Sequence, residues 1–341
     1  MSKVKIEQLR KRFSQFEEKR KYYEWKSNQP GKLKRHEMWR HEYLSHPYLL
    51  GSPDSRIADR FCNIFKNAME LNSKGQISLI SMEETDEHMI NFTHMLEEYE
   101  SRSGSPPPSV VERARLPLIK YFESGTPSGV QLFEGFKAPE KPVLVKYGKR
   151  EYLEPMFKEG RIRLANAGLY NDTNLIASIR DDEISRTFII PTFAERLAGQ
   201  TNIEFQGHRI DFNDDDITLP LKFNDYYLFS LCEHIHYRMP TDFEADAAIV
   251  INEPIKFTQT LISKFLQSHP NWRPLARKVT YYDPYQNYTK FKIPEMAKHF
   301  GYAYQKEFRI ALLNPENGNF NLEPLHLKIG SMQDYSNLLY L

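Results

Sequence analysis

Apolar residues recur at helical spacing through the first hundred positions and at alternating spacing from about residue 141 onward. The chain therefore divides into a helical part and a mixed part. Ile6, Leu9, Phe13 and Phe16 fall at three- and four-residue steps and predict a first helix with one apolar face. Ile57, Phe61, Ile64, Phe65 and Met69 predict a second over 55–72, entered through the turn and cap residues Ser52-Pro53-Asp54. A third is expected from about 82 to 100. Ser81 and Glu84 are spaced there as a capping box, and Met89, Phe92, Met95, Leu96 and Tyr99 face the core.

SRSGSPPPSV (101–110) breaks the helical texture, since three consecutive prolines cannot continue a helix. Residues 1–102 then form a helical module, 103–139 a Pro-rich linker and connecting segment, and 140–341 a second domain. In that domain PVLVKYG (142–148), RIRLANA (161–167), TFII, YYLFSLCEHI, AAIVI and KVTYYD (278–283) read as strands, with LHLKIG (325–330) the last of them. YLEPMFKEG (152–160), closed by Gly160, and residues 254–268 read as helices. PEMAKHF (294–300) also does, with Pro at its start and Gly301 after its end. A short C-terminal helix is expected to follow the last strand. Mixed strands and helices make the fold class α+β.

Composition narrows the class. With 40% hydrophobic and 27% charged residues the chain is expected to fold rather than remain disordered. Lys and Arg number 46 against 45 Asp and Glu, so no overall field favours nucleic acid or membrane. The two cysteines, Cys62 and Cys232, imply no disulfide framework and fit a reducing, cytoplasmic setting. MSKVKIEQLRKRFSQF lacks the apolar core of a signal peptide, and no apolar run approaches a membrane span.

The richest chemistry lies in YAYQKEFRIAL (302–312), read as a strand entered from a helix. Alternation puts Phe308, Ile310 and Leu312 on one face and Gln305, Glu307 and Arg309 on the other. The polar face can be a half-exposed, solvated Glu/Arg surface. It can instead be a Q-x-E pair at the floor of a cleft. There Glu307 would stabilise an oxocarbenium-like transition state and Gln305 would position an acceptor. Gln305-Lys306-Glu307 resembles the pair that toxin-class ADP-ribosyltransferases carry at the start of a late strand.

Other clusters compete. Cys232, His234 and His236 alternate and would share a strand face, as zinc ligands or as a Cys-His nucleophilic pair, but a fourth zinc ligand is not evident and no metal site is expected. Asp181-Asp182-Glu183 and Asp214-Asp215-Asp216 could bind metal or form solvated turns; the second lacks calcium-loop spacing. Residues 1–42 hold 13 Lys/Arg and 6 Asp/Glu interleaved with Phe13, Tyr22, Tyr23, Trp25 and Trp39. That segment could grip nucleic acid, dock on an acidic partner, or be a solvated face. Neither a P-loop nor a G-x-G-x-x-G occurs, which argues against a P-loop NTPase and a typical Rossmann domain.

Taken in order, LVKYG (144–148), EGRIRLANAGLYND (159–172), DDE with Arg186 (181–186), YLFSLC (227–232), DFEADAAIVI (242–251), YYDP (281–284), AYQKEFR (303–309) and IGSMQDY (329–335) resemble a widespread uncharacterised bacterial domain family. The resemblance covers roughly 140–341, and that family is in turn similar in layout to ADP-ribosyltransferase-like folds. It implies NAD as substrate, Glu307 and Gln305 as catalytic residues, and Lys146, Tyr147, Arg163, Tyr170 and Asn171 toward the dinucleotide. Tyr147 and Tyr170 would frame the nicotinamide. The first-strand His or Arg of characterised transferases is replaced here by Lys146-Tyr147. A cytoplasmic toxin or phage-defence effector is the role this implies. The alternatives from a different class are a nucleic-acid-binding protein or nuclease, and a non-catalytic interaction module in which the polar strand face is a structural network.

Overall fold

The computed structural model describes residues 3–341 apart from 32, 81–85, 124, 206, 214, 286–292 and 316–321. The capping box expected from Ser81 and Glu84 lies outside the described residues, as does Asp214.

Helices α1 (Lys3–Ser27), α2 (Arg35–Ser45), α3 (Asp54–Ala68), α4 (Asp86–Ser103) and α5 (Pro108–Ile119) form the N-terminal layer. Leu9 and Phe16 of α1, Tyr43 and Leu44 of α2, Ile57, Phe61 and Ile64 of α3, and Met95 and Tyr99 of α4 share one core. The apolar stripes read from the sequence supply this core, except that Met89, expected to face it from α4, is exposed. The second helix ends earlier than expected, at Ala68, because Met69–Leu71 (β1) turns back on Ile77–Leu79 (β2) in a hairpin.

The segment read as a Pro-rich linker is itself structured. Pro108 opens α5 at a position where its missing N–H costs nothing. Beyond it, Tyr121 is buried, and Leu132 of α6 (Ser128–Leu132) with Phe133 packs onto the sheet.

The rest is α+β. The elements that follow are β3 (Leu144–Gly148), α7 (Arg150–Glu159), β4 (Arg161–Asn166), β5 (Ser185–Ile190), α8 (Phe193–Leu197), β6 (Asn202–Phe205), β7 (His208–Asp211), β8 (Ile217–Lys222), β9 (Tyr226–Cys232), α9 (Met239–Asp242), β10 (Ala247–Ile251), α10 (Pro254–Leu266), β11 (Arg273–Lys278), β12 (Thr280–Tyr282), β13 (Ala297–His299), β14 (Glu307–Leu313), β15 (Leu325–Lys328) and β16 (Ser336–Tyr340). An eight-stranded antiparallel sheet runs β11-β14-β9-β3-β10-β16, with β4 joining β9 to β15. One face carries α7 and α10, where Leu153, Met156, Phe257, Leu261 and Phe265 meet Phe229, Leu231, Ile249, Ile310 and Leu312. On the other face Leu132, Phe133 and Met239 cover Val145, Tyr147, Ala248 and Val250. Gly160 closes α7 at φ 69°, and a Cβ there would lie 2.0 Å from the Gly330 carbonyl oxygen, so both conformation and space require glycine.

The sheet splits at β9. Opposite β14, β9 meets β3 only at Val145–Cys232 and β4 only at Ala165–Leu228 and Asn166–Tyr227. Between these contacts β9 has no strand neighbour on that edge among the described residues.

Three expectations fail here for one reason: tertiary pairing overrides a short local pattern. PEMAKHF is not a helix. Pro294–Met296 makes one 3-10 turn, and Ala297–His299 is strand β13, paired in parallel with β12. The strand expected from 302 begins at Glu307; Phe300–Gln305 is 3-10 and Lys306 is left-handed at φ 46°. The C-terminal helix is strand β16, recruited by the edge of β10.

Candidate functional site

The polar residues at the start of β14 are neither half-exposed nor solvated. Gln305, Glu307 and Arg309 are 3%, 4% and 0% exposed. Pairing with β9 sets Glu307 opposite Cys232 and Arg309 opposite Ser230, so the carboxylate and guanidinium share a buried face. Glu307 Oε1 accepts from Ser230 Oγ at 2.6 Å and from Arg309 Nε at 2.8 Å, while Oε2 accepts from Lys298 Nζ at 3.0 Å. The Glu307 backbone N–H donates to the Tyr281 hydroxyl at 2.8 Å. Arg309 grips Glu183 with two 2.7 Å bonds, and Arg186 adds a 3.2 Å bond to the same carboxylate. Burial alone would raise the Glu307 carboxyl, but the charges of Arg309 and Lys298 outweigh it and hold it below the ordinary carboxylate range. For Lys298 burial acts downward, and Glu307 and Glu183 reverse it.

Above this network lies a cavity of about 170 Å³ lined by Lys146, Tyr147, Tyr170, Ser230, Phe243, Lys298 and Glu307, among others. Five of the seven residues singled out from the sequence line it: Lys146, Tyr147, Tyr170, Gln305 and Glu307. They come from β3, from the 3-10 turn after β4, from the turn before β14 and from β14 itself. The other two do not. Arg163 alternates outward on β4, and Asn171 follows Tyr170 into solvent; both are exposed and outside the lining.

The gathered residues have specific local duties. Lys146 Nζ donates to the Ser230 carbonyl at 2.8 Å, at the split of the sheet, and sits 4.5 Å from the Phe229 ring centre. Burial lowers its pKa. Tyr147 is a fixed wall: its hydroxyl accepts from the His236 backbone N–H at 2.8 Å, and its ring packs against Phe133 and Phe243. Gln305 is engaged within the protein. Its Oε1 accepts from Lys298 at 3.2 Å, and its Nε2 donates to the Ser178 carbonyl at 2.7 Å, pinning the 172–180 segment over the cavity. Its amide is therefore a tether for this segment, rather than an open position for an acceptor.

Asp181 stands apart. Its Oδ2 is buried without a hydrogen-bond partner. Burial, with Glu183 nearby, pushes its carboxyl up to about 7.

The helical module reaches this site. Asn67 Nδ2 donates to the Phe300 carbonyl at 2.7 Å and Asn67 Oδ1 accepts from the Tyr304 N–H at 3.0 Å, so α3 holds the 3-10 turn that leads to Glu307. Buried Arg60 pairs with Asp283 at 2.8 Å and lies 5.0 Å from the Phe300 ring centre.

Two competing clusters dissolve. Strand β9 ends at Cys232 and the chain bends, so His234 and His236 do not continue its face. Among the described residues no group of three or more His, Cys, Asp or Glu could hold a metal ion. Asp216 is buried, accepting from Ser52 at 2.6 Å and pairing with Arg196 at 3.3 Å. Part of the basic excess of 1–42 is matched by α4: Arg12 meets Glu98, Lys19 meets Glu97 and Glu100, and Arg40 meets Glu97, all within 3.2 Å. No helix among the described residues is long and apolar enough to cross a membrane.

Lys298, Ser230 and Tyr281 were missed from sequence. Ser230 left a faint signal as the one serine inside YYLFSLC, whereas Lys298 left none, because its segment reads as a helix. No protein-family model, no curated protein and no solved structure matches this chain.

Proposed function

We propose that this chain is an NAD-consuming enzyme with an ADP-ribosyltransferase-like body, transferring ADP-ribose or hydrolysing the dinucleotide. One observation carries the proposal: residues chosen from three separate stretches of sequence line a single cavity. Its volume of about 170 Å³ is the size class that holds one six-membered ring, so the nicotinamide end would occupy it and the adenosine half would lie outside. Tyr170 offers an aromatic face. Lys146, with one of three N–H donors used, offers a bond to the carboxamide. An ionised carboxylate has about four acceptor positions. Glu307 fills three internally, which leaves one for a ribose hydroxyl beside the bond that breaks. Its countercharges keep it ionised for a developing oxocarbenium ion. A toxin or phage-defence role follows from the resemblance alone. Release of nicotinamide from NAD by the purified protein, compared with Glu307→Gln and Glu307→Asp, tests the assignment.

A specific observation favours a second reading. Gln305 is spent on internal bonds and Glu307 is almost wholly buried, as a purely structural network requires. In that case the folded protein leaves NAD intact, and Glu307 substitutions change stability alone. For the nucleic-acid alternative, three of the 13 cations in 1–42, Arg12, Lys19 and Arg40, are engaged by carboxylates of α4.

A further inference from the structure

The charges around the cavity do not balance. Lys298, Arg309 and Arg186 face Glu307 and Glu183, three cations to two carboxylates. Lys146 adds a fourth cation on the cavity wall, and no carboxylate among the described residues pairs with it. It meets a backbone carbonyl and a ring face, and the Glu307 charge acts on it only from beyond ion-pair distance. The other lysine of the lining, Lys298, donates to Glu307 and Gln305 and pairs with Glu183 at 3.6 Å. Asp181 offsets only part of the excess, since its carboxyl titrates at about 7.

Two N–H donors of Lys146 thus remain for whatever fills the cavity. A buried ammonium without a counter-ion is costly, and an anion brought to it removes that cost. The shape narrows the choice. The volume admits one substituted ring, and Tyr170, Phe243 and Tyr147 supply flat walls.

We propose that the cavity is a subsite for a small planar carboxylate, its ring against Tyr170 and Phe243 and its carboxylate on the Lys146 ammonium. The subsite distinguishes an acid from its neutral amide by charge alone. This goes beyond the NAD proposal and draws on the same Lys146 donors, which there meet the neutral carboxamide of a cationic ring; it concerns ligand charge, competes with nicotinamide for that position, and holds whether or not NAD is cleaved.

Benzoate and benzamide share a ring and differ in charge, and titration calorimetry of each into the full chain reads the preference directly. Benzoate is expected to bind about ten- to a hundredfold more tightly, the scale of a charge-assisted hydrogen bond. Lys146→Met should abolish the difference. Lys146→Gln, which keeps a donor without the charge, should bring benzoate down to the benzamide level. Circular dichroism checks that the variants are folded, and the wild-type comparison needs no variant. Equal or weaker binding of benzoate, no binding of either compound at millimolar concentration, or a preference that survives in folded Lys146→Met would overturn the assignment. Nicotinamide release is a separate assay: a protein inert to NAD can pass this test, and one that cleaves NAD can fail it.

Discussion

Lys298 Nζ donates to Glu307 Oε2 at 3.0 Å across two different sheets, for Lys298 lies on the β12–β13 ladder and Glu307 opens β14 of the main sheet. Both side chains are buried. The pair adds a side-chain tie beside the backbone bond from Val279 N–H to the Glu307 carbonyl at 2.9 Å. Lys298→Met should therefore destabilise the fold by about 3–5 kcal/mol, because it leaves buried Glu307 and Glu183 short of countercharge. Urea denaturation measures it. Combined with Glu307→Gln, the loss should fall short of the sum of the two single losses, since the second substitution removes the charge that the first stranded.

The helical module takes part in setting the site. Asn67→Ala removes both bonds from α3 to the turn before β14 and strands two buried backbone groups, Phe300 C=O and Tyr304 N–H. A loss of about 1–3 kcal/mol is expected. Hydrogen exchange should rise at 300–305 more than across β9. An unchanged rate there would mean that the turn holds itself without α3.

How far the sequence could be read depended on how local the cause was. The stripes Leu9–Phe16 and Ile57–Ile64 bury as periodicity predicts, because one helix face needs no knowledge of its partner. Gly160 ends α7 where a left-handed residue is needed. Strands AAIVI and YYLFSLC are legible from their apolar runs. What failed was set by distant pairing. Lys298 sits in seven residues that look helical, and only the parallel ladder with Thr280–Tyr282 makes them a strand. The Glu307–Arg309 face could be read as solvated or as a cleft floor, because nothing near it in sequence announces that Glu183, 126 residues from Arg309, will cover it. Lys146, Tyr147 and Tyr170 line the cavity, whereas Arg163 and Asn171 lie outside it, on outward-facing positions.

Asp181 gives a pH signature. Burial and the neighbouring Glu183 push its carboxyl from 3.8 up to about 7. Between those values the folded chain keeps a proton that the unfolded chain has released. Its contribution to stability is thus fully present below 3.8 and is lost as pH rises through about 7. His94 and His299, lowered by burial to about 4, act in the opposite sense in wild type and variant alike. They therefore drop out of a difference. The stability of Asp181→Asn relative to wild type should rise between about pH 4 and pH 8. A flat difference across that range would mean that Asp181 titrates as an ordinary surface carboxylate.

The most direct measurement is nicotinamide release from NAD by the purified wild-type protein, with and without cell extract as a source of acceptors. Glu307→Gln and Glu307→Asp are assayed beside it, at a temperature where circular dichroism shows all three folded. The proposal predicts release by wild type, a loss of about 10²-fold or more in Glu307→Gln, the scale for removing a main electrostatic group, and a substantial loss in Glu307→Asp, which keeps the charge but retracts it. A folded wild-type protein that leaves NAD intact in the presence of extract would contradict it, and the Glu307 network would then be a structural one.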